Sequence, residues 1–118
     1  MVDSVFNMEK DLKKLAVRLH IEYFGKGPED VWVRTYKSVA TFYCAKTITP
    51  LEETLLRITS GKEEVMRLRD KIYEYVKPQL FMEIEKVSGC KVLSFTADIC
   101  VDTKVLHGSI LFLENIDN

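Results

Sequence analysis

One stretch and a few separate side chains could do chemistry. In Gly25-Lys26-Gly27-Pro28, two glycines and a proline fix a tight backbone around a lysine. An ammonium and neighbouring backbone N–H groups can meet a small anion in such a loop. The loop follows a helix C-terminus, however, which is the negative end of the dipole. The GxxxxGK[ST] pattern is absent, so the plain alternative is a helix-to-strand connector. Arg69 is the second cation of interest. With Thr49, Ser94 or Thr96 nearby, its planar fork could bind a carboxylate or bicarbonate. The alternative is a partly exposed arginine paired with Glu52, Glu53 or Asp98. Asp98 falls on the more polar side of a strand with Ser94, Thr96 and Cys100. If buried it needs a partner, and Arg69 is the natural one.

The remaining reactive types are isolated. His20 and His107 are far apart in sequence and have no third ligand at metal spacing. His20 lies beside an apolar helix stripe and reads as a helix-edge histidine. Cys100 and His107 meet across a hairpin in some registers, which an ordinary strand pair also explains. Cys44, Cys90 and Cys100 are odd in number and have no CxxC spacing, so reduced thiols are expected rather than a zinc site. No serine or cysteine sits in a nucleophile motif. The expectation is a protein that is not an enzyme and carries no cofactor or metal.

The elements that would position these residues follow from periodicity. Residues 4–24 read as a helix, with Val5, Met8, Leu12, Leu15, Ala16, Leu19 and Tyr23 on one face. Ser4 or Asp3 can cap it, and Gly25 suits the left-handed position after its end. Residues 30–37 and 39–46 alternate β-branched and aromatic residues with a period of two, which marks a hairpin. Thr49-Pro50-Leu51-Glu52 carries a capping box with proline at the first helical position. Ser60-Gly61-Lys62-Glu63 reads as a second box, opening a helix to about Val87. Pro78 inside that helix predicts a kink or break near Val76-Lys77. Strands follow at about 91–101 and 105–114. In the first, Leu93, Phe95, Ala97, Ile99 and Val101 share a face opposite Val92, Ser94, Thr96, Asp98 and Cys100.

The order α-β-β-α-α-β-β favours an α+β fold, a four-stranded antiparallel sheet with helices on one face. The chain has 118 residues, which fits a single domain over 1–118. With 47% hydrophobic residues, 30% charged residues and a net charge of −1, it lacks the basic excess of a nucleic-acid module. Trp32 and the tyrosines are therefore expected in a core or interface rather than in a stacking platform. Met1 to Leu12 carries three acids and no apolar run, so no signal peptide is expected. No segment approaches the ~20 apolar residues of a membrane helix, and a cytoplasmic location is expected. The last strand is apolar on both faces, which predicts a second subunit on the outer one.

Gly25-Lys26-Gly27-Pro28, Thr49-Pro50-Leu51-Glu52, Gly61-x3-Val65-x3-Arg69, and Gly89-Cys90-Lys91-Val92-Leu93-Ser94 leading to Asp98 occur in one order. This arrangement resembles the MpsC-like family over about residues 4–114. The resemblance implies a soluble accessory role near a sodium-translocating, membrane-potential-generating system linked to inorganic carbon supply. On that basis the expected function is a dimeric binding or sensor domain for a small anion of the formate or bicarbonate class. Arg69, Thr49, Ser94, Thr96 and Asp98 would form the site, and Lys26 would guard it. The alternative is an interaction module with no ligand, docking a membrane-associated protein through its apolar sheet face.

Overall fold

The computed structural model describes residues 2–116, and the side chains of 5–116. Three helices and four strands follow the expected order: α1 (Val2–Phe24), β1 (Glu29–Tyr36), β2 (Val39–Ala45), α2 (Pro50–Leu56), α3 (Gly61–Ser88), β3 (Val92–Cys100) and β4 (Val105–Phe112). The sheet is antiparallel, with strand order β1-β2-β4-β3. β4 is therefore a central strand, and centrality is one reason for its apolar composition. The three helices lie on one side of the sheet.

Two apolar clusters lie between helices and sheet. The larger joins Leu12, Leu15 and Leu19 of α1 and Ile84 of α3 to Val33, Ala40 and Ile110 of the sheet. The smaller joins Ile48, Val65, Ile99 and Val101. α3 and the β3–β4 hairpin contribute to both.

Gly25 takes φ +76, and its N–H donates to the Ile21 carbonyl at 2.9 Å, the left-handed stop expected of a C′ glycine. The cap expected at Ser4 or Asp3 lies outside the described side chains. The β1–β2 turn is a two-residue connection, with Tyr36 opposite Val39 and Lys37 at φ 57.

Four local expectations are corrected. α3 continues through Pro78 without a break. Pro78 lies on the exposed side, where water can take the carbonyl that loses its N–H partner, and the helix is held by packing before and after it. Ser60 makes no capping bond and sits in the left-handed region at φ 65, so the second capping box does not form. A register shift between Val92 and Ser94 turns Leu93 out to solvent and Val92 in, reversing the alternation at the start of β3. In the β3–β4 register His107 faces Asp98 and Cys100 faces Val105, so Cys100 and His107 are not a cross-strand pair.

Candidate functional site

A buried polar cluster grows from the start of α2. Thr49 is the N-cap, with extended backbone at φ −82 and ψ 162. Its hydroxyl accepts from the Glu52 N–H at 3.2 Å, and the Thr49 N–H donates to Glu52 Oε1 at 2.9 Å. This capping box aims a carboxylate inward, and Glu52 is only 2% exposed. Arg69, two turns into α3, meets it with a two-pronged pair: Nε–H to Oε2 at 2.7 Å and Nη2–H to Oε1 at 2.8 Å. The other Nη2–H donates to the Thr47 carbonyl at 2.7 Å. The guanidinium carbon lies 4.3 Å from the centre of the Phe24 ring. Burial pushes the Glu52 carboxyl up, but Arg69 and the Thr49 N–H and hydroxyl outweigh it, so the group titrates below its ordinary value.

The connector after α1 is tied into this cluster. Lys26 Nζ donates to the Ile48 carbonyl at 3.2 Å. The Nδ1–H of His20 donates to the Lys26 carbonyl. Donation from Nδ1 leaves Nε2 with a lone pair in the neutral ring, and Nε2 is buried without a hydrogen-bond partner. His20 also stacks on Phe24 at 4.6 Å. Burial, with the Arg69 and Lys26 charges, pulls its pKa below the ordinary value of 6.5, against the Lys26 carbonyl and Glu52.

A pH dependence follows with a definite sign. The unfolded chain takes up a proton at His20 near 6.5, and the folded chain only at lower pH. Stability should therefore fall as pH is lowered from about 6.5 towards the folded-state pKa. The urea midpoint should drop across pH 7.5 to 5.5, and His20→Phe should flatten that slope; an unchanged slope in the variant would assign the effect to another group.

Of the residues expected to form one site, the structure brings Arg69, Thr49 and Lys26 to the same region. Thr96 and Asp98 border a neighbouring cavity that Arg69 also reaches, with their side chains on the opposite sheet face, and Ser94 lies elsewhere. Phe95, Ala97 and Ile99 of β3 face the helices, so the residues between them face the opposite, open side of the sheet. There Ser94, Thr96 and Asp98 stand opposite Leu111, Ser109 and His107 of β4, and all three are exposed. Asp98 is not the partner of Arg69; Glu52 is. The helices cover only one face of the sheet, so a polar strand face cannot meet a helix arginine. His20 reads in the sequence as a helix-edge histidine, and the structure instead buries it beside Arg69 and Lys26. The signal for its burial was its spacing, one position from Leu19 and four from both Ala16 and Phe24.

Beside this cluster a cavity of about 570 Å³ runs between α1, α3 and the inner sheet face. Leu15, Leu19, Tyr73, Phe95, Ala97 and Leu106 are among its walls. Arg69 reaches it as well. Three of the five guanidinium N–H groups are bonded within the protein, which leaves the two on Nη1. Such a volume, apolar with a few polar groups, is typical of small-molecule sites. Asp70 and Glu74 also border it.

Among the described residues no three of His, Cys, Asp and Glu come together as metal ligands, and no helix is long and apolar enough to cross a membrane. A family model described as "Na+-translocating membrane potential-generating system (MpsC)" matches residues 5–114. No curated protein and no solved structure gives a match.

Proposed function

The chain belongs to the MpsC family, and from that premise we propose that it is a cytoplasmic, non-enzymatic accessory domain of a sodium-translocating, membrane-potential-generating system, working beside a membrane-associated protein by binding a small molecule. The observation that carries this reading is the 570 Å³ cavity with Arg69 in its wall. The ligand that suits it has an apolar body and a neutral hydrogen-bond acceptor, such as a ring carbonyl, directed at Arg69 Nη1. Formate and bicarbonate suit it less well. Glu52 occupies the edge of the guanidinium that a carboxylate would use and neutralises its charge. Asp70 and Glu74 at the border add negative potential, and a three- or four-atom anion would leave most of the volume empty.

Thermal unfolding should be measured with acetophenone, ethylbenzene, benzoate, formate and bicarbonate. Acetophenone should give a saturable stabilisation, about 2.7 kcal/mol at a hundred times its Kd, and ethylbenzene and benzoate a smaller one. Ala97→Trp, which fills the cavity from the sheet side, should remove the shift while the protein stays folded. A selective shift with formate or bicarbonate would restore the small-anion reading. No shift with any of them, or an acetophenone shift that survives Ala97→Trp, would remove the cavity as the binding site.

A further inference from the structure

The open face of the sheet has a charge pattern that suits a second copy of this chain. Cross-strand registers align its side chains in rows. One row runs Trp32, Tyr43, His107, Asp98. The next begins with Arg34 on β1 and ends with Thr96 on β3, through Thr41 and Ser109. The third joins Tyr36 and Val39 to Leu111 and Ser94. Among the described residues no helix covers these rows, and Trp32, Tyr36, Tyr43 and Leu111 are all exposed, Tyr36 by 71%. Folded monomers rarely leave so continuous an aromatic and aliphatic surface in water.

The charges on this face sit at opposite edges. Arg34 is on the β1 edge, its guanidinium over the Trp32 ring at 5.1 Å and, among the described residues, bonded to the Val33 carbonyl at 2.9 Å. Asp98 is on the β3 edge and has no ion-pair partner among the described residues. A pair of sheets packed face to face can be related by a two-fold axis along the strands or across them. An axis across the strands lays β1 on β1 and brings Arg34 against its own copy. An axis along the strands, between β2 and β4, lays β1 on β3. Arg34 of each copy then lies over Thr96 of the other, one row from Asp98 and leaning towards that row over Trp32, while Tyr43 meets His107 and Val39 meets Leu111.

We propose that the chain forms a homodimer through its open sheet face, with the two-fold axis parallel to the strands and two symmetric Arg34–Asp98 pairs. Four strands at about 4.8 Å spacing and about 3.4 Å per residue over eight residues give a face of roughly 500 Å² in plan. Two such faces reach the ~1,000 Å² that a specific interface needs. This surface is on the far side of the sheet from the cavity, so the dimer and the ligand reading stand or fall separately.

Sedimentation equilibrium should show a monomer–dimer equilibrium for the wild type. Arg34→Glu sets two acids together at each pair and should weaken the dimer about 100-fold or more, at roughly tenfold for each of the two pairs. Asp98→Lys should do the same, and the double variant Arg34→Glu/Asp98→Lys should recover most of the loss. Leu111→Glu should give a monomer whose circular dichroism and acetophenone binding match the wild type. A wild type that stays monomeric to high concentration overturns the proposal. So does a dimer indifferent to these substitutions, or a charge swap that fails to rescue.

Discussion

Glu52→Ala is expected to lower the unfolding free energy by about 3–5 kcal/mol, the usual cost of leaving one buried charge without its partner. That is a large fraction of the ~5–15 kcal/mol that holds a domain of this size together. The expectation rests on the position of Arg69. The residue is 8% exposed, rests on Phe24, and spends two of its three internal hydrogen bonds on the Glu52 carboxylate. Removing Glu52 also dissolves the capping box that starts α2. Urea denaturation at pH 7 measures the loss. The double variant Glu52→Leu/Arg69→Met should recover most of it, because an apolar pair of similar volume needs no ionic partner. A single-variant loss below about 1 kcal/mol would mean that water reaches the guanidinium freely, as in surface pairs. The pair also has a sign in pH. The Glu52 carboxyl titrates below its ordinary 4.5 when folded, so its stabilisation is complete above that value and is lost as pH falls through the folded-state pKa.

Gly61→Ala is the second large effect, and its sign opposes simple propensity. Alanine at a helix position is better than glycine by about 1 kcal/mol. Gly61 is the first residue of α3 and is buried. A Cβ built there would lie 1.8 Å from the Leu55 carbonyl oxygen and 2.7 Å from its carbon. Both are backbone atoms of α2, so no side chain can rotate aside. The start of α3 must move away from the end of α2, which also separates Arg69 from Glu52. A loss of about 3 kcal/mol is expected, at the upper end for overpacked sites. Thermal and urea unfolding decide it, and a gain in stability would show that the two helices are not in such close approach.

The elements were legible in the sequence because their signals are local. Gly25, the Thr49–Glu52 box and the two-residue alternation of β1 and β2 each act within a few residues. What lay beyond reach depends on partners distant in the chain. Glu52 was readable as a capping residue and as one of three possible partners of Arg69, but choosing it and burying the pair depend on contacts seventeen positions apart. Asp98 was placed on the correct strand face from alternation alone. Its assignment to Arg69 failed because alternation does not say which face the helices cover. The shift at Leu93 breaks the period at one residue, below the resolution of any pattern. Pro78 does not break the helix: a proline penalty is local, whereas the packing on both sides of it is a tertiary effect.

The two apolar clusters share one backbone rod, and this has a consequence for how the molecule opens. α3 spans 28 residues, about 42 Å at 1.5 Å per residue, along a molecule 49 Å in its longest dimension. Its first half belongs to the small cluster of Ile48, Val65, Ile99 and Val101, and its second half to the large one around Ile84. The small cluster is the weaker grip, so that end can detach as a unit while the other stays folded. Amide exchange should then be faster through α2 and the opening turns of α3 than in the turns around Ile84. Such breathing would also part Arg69 from its neighbours and provide a way into the cavity.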